Sequence, residues 1–372
     1  MISVSHAEPW ANPAAWGQLL RWLGRENAPL LVRLRFDPAL WSWGVRFFAN
    51  CTPARTKINS ERILRIGLYS RSCLDAIAAE TNIQFDRKKG GILQIYRSRA
   101  EFIRAHDMAA VIAEAGCKCE ILDAEACVAL EPALADARTQ IEGGLYTAED
   151  ESGDAHKFTA ALANICAAGG VEFRYGASIE RLRADDRRIT AVVTDGGELT
   201  ADSYVVALGS YSPLLLRPFG IKLPIYPAKG YSVTLPLAPA AVAPTVSLID
   251  VTAKIVYSRL GDKLRIAGTG EFAGYDASLT ESRSQAILDS ARTIFPHLGQ
   301  GDGASFWTGL RPSTPDGVPV IGATAFENLY LNTGHGTLGW TLSCGSAQLT
   351  ADIVSGRTPG IKVDDIGITR FA

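Results

Sequence analysis

The stretch F-W-T-G-L-R-P-S-T-P-D-G-V-P-V-I-G (Phe306 to Gly322), followed by N-L-Y-L-N-T-G-H-G-T-L-G-W-T (Asn328 to Thr341), decides how this 372-residue chain is read. Asn328 to Asn332 has the pattern of a short strand. Gly334, Gly336 and Gly339 fall on a G-x-G-x-x-G spacing, and Trp340 to Ser355 reads as a helix rich in small residues. Strand, glycine turn and helix start make a dinucleotide-type element: the glycines let a backbone pass close to a ligand, and the unpaired N–H groups opening the helix present positive charge to an electron-rich group. A nucleotide-binding turn of the usual kind opens a βαβ unit and has an acidic residue about 20 positions later for the ribose. Here the turn lies near the C-terminus, so it is expected to serve the ring end of a cofactor and not its pyrophosphate. Alone, such a triplet also describes a ligand-free turn.

Arg311 removes that ambiguity. It sits in G-L-R-P beside Gly309, on a strand ending that Pro312, Pro315 and Gly317 force into a turn. A guanidinium held there offers a planar fork to a carboxylate. The two elements together suggest a flavin or nicotinamide ring facing a carboxylate substrate.

Working outward, Y-P-A-K-G-Y-S (Tyr226 to Ser232), V-V-A-L-G-S-Y-S (Val205 to Ser212), K-K-G-G-I-L-Q-I-Y (Lys88 to Tyr96), E-P-A-L (from Glu131) and G-G-L-Y (to Tyr146) accompany the C-terminal motifs in order along the chain. With them the sequence resembles the FAD-dependent D-amino acid oxidase/glycine oxidase superfamily, and within it the bacterial D-amino acid dehydrogenases. The resemblance implies an α/β (α+β) fold: a Rossmann-like FAD-binding domain of glutathione-reductase type with an interleaved antiparallel-sheet substrate domain. It implies oxidation of a D-amino acid, such as D-alanine, to a 2-oxo acid and ammonia, with electrons leaving through FAD to a quinone-type acceptor. A glycine, sarcosine or D-hydroxyproline oxidase, or an inactive subunit without flavin, are the alternatives. By the same match Arg311 takes the substrate carboxylate, Gly309 and Gly334-His335-Gly336-Thr337-Leu338 lie at the flavin ring, the Ala207-x-Gly209 ending lies against the pyrophosphate, and Ile179 contacts the adenine. Tyr231 and Tyr257 are candidates for a second carboxylate contact, and Lys229 for the flavin edge.

The family opens with a βαβ unit that grips the ADP half of FAD, and Ile2 to Ser5 with Pro9-Trp10-Ala11 resemble the stretch just after it. The expectation is therefore an N-terminally truncated fold; a start placed too late or a broken gene is favoured over a true variant that borrows or lacks the nucleotide site, because deleting a central strand buried on both faces leaves the remainder marginal. Expected divisions are an N-terminal Trp/Arg-rich segment (1–58), a substrate domain (59–140 and 222–304) and an FAD-binding domain (141–221 and 305–372).

Within these blocks, helices are expected over Asn59 to Glu80, Ala100 to Ala115, Lys157 to Ala168 behind a capping Asp154, and Leu279 to Ile294. Strands are expected at Ile92 to Tyr96, Gly143 to Tyr146, Val171 to Arg174 and Val205 to Ser210, and in an antiparallel run from Tyr231 to Gly268. A hairpin is expected to turn at Asp195-Gly196-Gly197.

Composition narrows the class. A hydrophobic content of 47% suffices for sizeable cores, and a net charge of −2 does not suggest a nucleic-acid binder. Seven scattered cysteines form no C-x-x-C pair and no Cys/His cluster, so reduced thiols in a cytoplasmic setting and no metal site are expected. No basic n-region followed by an apolar stretch marks a signal peptide. Five of seven tryptophans lie within the first 43 residues, and residues 1–65 carry nine Lys or Arg against four acids. Interleaved Trp and basic residues are compatible with peripheral contact to the inner face of an anionic membrane, as well as with helices packed on the core.

Overall fold

A computed structural model describes all residues except 23, 27, 34, 115, 239, 240, 299, 300, 302 and 372. Near the N-terminus lie α1 (Ala15–Trp22), β1 (Leu30–Val32) and α2 (Pro38–Asn50), the last capped by the Asp37 carboxylate with Pro38 opening the helix. Helix α3 is longer than its apolar stripe suggests, Pro53–Thr81. Thr52 caps one end and Asn82, in the left-handed region at φ 49°, stops the other. Then come β2 (Ile92–Tyr96), α4 (Arg99–Glu114), β3 (Glu120–Leu122), α5 (Ala124–Leu130) and β4 (Gly143–Thr147). Residue 115, the expected end of the second helix, lies outside the described residues. The glycine pair of β4 is there for packing: a Cβ on Gly143 would strike Phe102, and one on Gly144 would strike Cys127 and Leu93.

Asp154 caps α6 (Ala155–Ala168) as expected. The next stretch corrects two expectations. Residues Val171 to Arg174 form no ladder; they are exposed, with no strand partner among the described residues to satisfy them. The expected single hairpin is a three-stranded meander, β5 (Ile179–Asp185), β6 (Arg188–Thr194) and β7 (Gly197–Leu199). Its extra turn uses Asp186 at φ 48°, a conformation that a short acidic side chain tolerates. The strand expected over Val205 to Ser210 is only β8 (Tyr204–Val206), since Gly209 at φ 54° turns the chain into a 3₁₀ segment and α7 (Ser212–Leu216).

The antiparallel run is present as β9 (Tyr226–Pro236), β10 (Ser247–Asp250), β11 (Ile255–Leu260) and β12 (Lys263–Phe272), followed by α8 (Glu281–Ile294). With β13 (Ser305–Ser313) these form a large sheet of order β13-β9-β12-β11-β10-β2-β4-β3, and β1 pairs in parallel with the end of β12. Strands β4 and β13 thus belong to the sheet that the division at 141 and 305 would have split. The small sheet, β14 (Val320–Ala323), β15 (Leu329–Thr333) and β8, includes a parallel pair, β15 with β8. Helix α9 (Gly339–Val354) packs on it and on α3. One face of the large sheet is sealed by α5, α8 and neighbouring turns over a core that includes Leu93, Leu248, Tyr231, Tyr257, Leu264, Ile266 and Ile287. The other face carries the candidate site.

Candidate active site

Alternation along β9 sorts the candidate residues, because successive side chains leave opposite faces. Arg311 pairs with Ala228, Gly309 with Gly230 and Trp307 with Ser232. These residues share the face away from α8. The Arg311 guanidinium lies across Gly230, where a Cβ would come within 2.2 Å of its central carbon, so only glycine admits it. Its Nη1 donates to the Thr269 carbonyl at 3.1 Å. Thr269 occupies a bulge between Gly268 and Gly270 at φ 55°, which displaces its peptide from the ladder. No carboxylate pairs with Arg311 among the described residues. Burial, with Arg265 nearby, lowers its pKa to about 10, which leaves it charged at neutral pH. Arg265 stacks over Trp307 at 5.5 Å and donates to Ser232 at 3.4 Å.

The glycine turn meets this face from the small sheet. Ser313, two residues beyond Arg311, bridges to His335. Gly334 (φ 79°) and Gly336 (φ 53°) carry the reversal from β15 into α9. A Cβ on Gly334 would strike Thr314, whereas the space over Gly336 is open. No side chain caps the N-terminus of α9. Open backbone with an uncapped helix start fits an electron-rich ring carbonyl, so Gly334 to Leu338 could hold the flavin ring. The cavity here is lined by Pro9, Trp10, Trp43, Thr314, His335 and Gly336, among others. The tryptophans and Pro9 come from the N-terminal segment and went unnoticed in the sequence as site residues. Trp43 is fixed by donating Nε1 to the Ser313 carbonyl at 2.8 Å. His335 is within 3.0 Å of Ser346 Oγ through Nε2, and burial lowers its pKa to about 4. It is neutral at physiological pH.

Gly209 joins the site from β8: its carbonyl accepts from Thr333 Oγ1 at 3.2 Å, one residue before Gly334. Ala207 is exposed beside it. Ile179 lies on the separate meander and is 44% exposed.

Three expected site residues are on the wrong side. Tyr231 is buried behind the sheet, its hydroxyl donating to Glu271 and lying 3.1 Å from Thr280 Oγ1. Tyr257 is fully buried edge-on to Phe295, its hydroxyl without a partner among the described residues. Lys229 donates to the Ser278 carbonyl at 3.1 Å and lies 3.4 Å from Glu271 and 3.5 Å from Asp276. Tyr231 and Lys229 differ from Gly230 by one position, and that odd step turns them from the face of Arg311 to the core.

A large mixed sheet bearing the unpaired Arg311, set against a small parallel-containing sheet with a glycine turn, is a mixed α/β fold. Residues 11–353 match the family model described as FAD dependent oxidoreductase, and the chain belongs to that family. Among its relatives, proteins named D-amino acid dehydrogenase are 54% identical in Paramagnetospirillum magneticum, over 100% of this chain and 88% of that protein, and 49% identical in Allorhizobium ampelinum, over 100% and 88%. In fold it is similar to glycine oxidase from Geobacillus kaustophilus, with TM-score 0.76, 23% identity and 83% of each chain covered. L-proline dehydrogenase from P. horikoshii gives TM-score 0.74 at 19% identity, covering 84% of this chain and 83% of that one.

Proposed function

We propose that this protein is an FAD-dependent D-amino acid dehydrogenase that deaminates D-amino acids oxidatively to 2-oxo acids and ammonia. The observation that carries the reading is the Arg311 guanidinium, charged, without a carboxylate partner among the described residues, and joined through Ser313 and His335 to an uncapped glycine turn. The small sheet with α9 is the cofactor side in this reading, and the large sheet the substrate side. FAD, when bound, supplies the acceptor for the hydride of the α-carbon. Arg311 fixes the substrate carboxylate and so restricts rotation of the α-carbon. The peptide N–H groups at the α9 start oppose negative charge on the cofactor ring. Neutral His335 holds Ser346 and moves no proton at pH 7. Water hydrolyses the released imino acid.

The electrons are proposed to pass to a quinone-type acceptor, with the protein peripheral on the inner membrane face. No helix among the described residues is long and apolar enough to cross a membrane. Support for surface contact comes from Leu20, Phe36, Trp41 and Val45, all exposed and flanked by Arg21, Arg25 and Arg46. Retention on anionic liposomes at low salt tests this; free sedimentation of the protein removes it. For the activity, FAD-loaded protein is mixed with D-alanine and a quinone-like dye under argon, and dye reduction, pyruvate and ammonia are measured. Equal yields are expected. In a parallel assay in air without dye, rapid oxygen use with peroxide release identifies an oxidase, and no turnover of any D-amino acid in either assay refutes the reading.

A further inference from the structure

Three glycines stand opposite one another on adjacent strands: Gly309 of β13 pairs with Gly230 of β9, which pairs with Gly270 of β12. Each is covered by a different side chain on the same face. The Trp307 ring comes within 2.2 Å of a Cβ placed on Gly309, the Arg311 guanidinium within 2.2 Å of one on Gly230, and the Trp10 ring within 3.7 Å of one on Gly270. The carboxylate anchor is therefore flanked by two indoles. The flanks differ. On one side Trp307 is 56% exposed beneath the charged Arg265, and that side opens to solvent. On the other, Trp10 is less exposed at 38%, stands beside Leu30 over Gly270 and lines the cavity with Trp43 and the glycine turn.

We propose that Trp10 limits the size of the substrate side chain. The inference rests on the assignment of Arg311 to the substrate carboxylate. With the carboxylate on Arg311 and the reacting C–H toward the turn, the two remaining substituents of the α-carbon divide between the flanks. The amine needs a hydrated or polar neighbourhood, because a polar group buried without a partner is costly. An alkyl side chain gains by leaving water against Trp10 and Leu30. Replacing the indole by a small residue removes that wall and is expected to admit a ring.

The test compares D-alanine with D-phenylalanine in FAD-loaded wild type, Trp10→Ala and Trp10→Leu, the milder change guarding against misfolding of the first. The kcat/KM ratio is expected to shift toward D-phenylalanine by fivefold or more in at least one variant, with flavin content unchanged. A smaller shift in both overturns the proposal. Trp307→Ala is expected to leave the ratio within twofold; a larger shift there than in the Trp10 variants puts the wall on the other flank and also overturns it. Calorimetric binding of propionate against 3-phenylpropionate, which needs no turnover, separates the two readings. If wild type oxidises no D-amino acid, the dehydrogenase assignment fails, and the proposal still stands or falls on whether Trp10→Ala or Trp10→Leu moves the affinity ratio fivefold toward 3-phenylpropionate.

Discussion

The two faces of β9 are built from neighbouring residues of one strand and behave as different materials. On the face bearing Gly230, cations are left without carboxylates: Arg311 and Arg265 have no acidic partner within ion-pair distance among the described residues, and Gly230 makes room for Arg311. On the face bearing Lys229 and Tyr231, every charge is answered. Glu271 accepts from Tyr231 and from Arg33 at 2.8 Å, with Lys229 and the Arg283 Nε at 3.4 and 3.8 Å. These contacts outweigh burial and hold its carboxyl below the ordinary glutamate range. Cations left unpaired on one face of a sheet suit an anionic ligand, whereas a neutralised network behind the sheet serves the fold.

Substitutions on the two faces should separate binding from stability. The largest effect is expected for Arg311→Ala. Losing a buried charge-assisted contact costs about 2–5 kcal/mol, so kcat/KM for a D-amino acid should fall on the order of 30-fold to several thousand-fold with the flavin retained. Unchanged steady-state kinetics would detach Arg311 from the substrate. Across the sheet, Glu271→Gln leaves Lys229 and Arg283 short of their counter-charge. Denaturant titration should show a loss of about 3–5 kcal/mol, while the KM of the folded fraction stays put. A raised KM without lost stability would erase the distinction between the faces.

A smaller effect is expected from acid. His335 titrates lower in the folded protein than in the unfolded chain, so the unfolded state binds the extra proton first and stability falls as pH drops from about 6.5 toward 4. The loss should reach about 3 kcal/mol at most and level off below that window. His335→Asn should flatten this part of the pH–stability curve; an unaltered curve would show that the histidine is not held neutral. The smallest effect belongs to Tyr257→Phe. Removing a buried hydroxyl that has no partner should change stability by about 1 kcal/mol or less, in either direction, and leave KM alone. A raised KM would put Tyr257 back at the substrate.

Local elements with strong punctuation were legible in the sequence. The strand, glycine turn and helix at Leu329 to Val354 lie within one residue of their expected bounds, because φ-positive glycines and a helix start are local demands. Arg311 and the turn are joined as expected. The face of each strand residue was not legible: Tyr231 is aromatic, polar and one step from Gly230, and only the pairing of Gly230 with Gly309 and Gly270 sorts it away from the face that carries Arg311. Trp10 was equally hidden, since it reaches Gly270 across about 260 residues of chain. Val171 to Arg174 shows the reverse failure, a sequence with strand character but no neighbouring edge among the described residues to join.

The displaced Thr269 peptide has a kinetic consequence. A guanidinium has five N–H groups, and one of Arg311's is committed to that carbonyl oxygen. The long side chain is thereby moored before any ligand arrives, with the remaining hydrogens free to grip two oxygens. In the function proposed, an incoming amino acid meets a stationary clasp, and the entropy of freezing that arm was spent when the polypeptide folded.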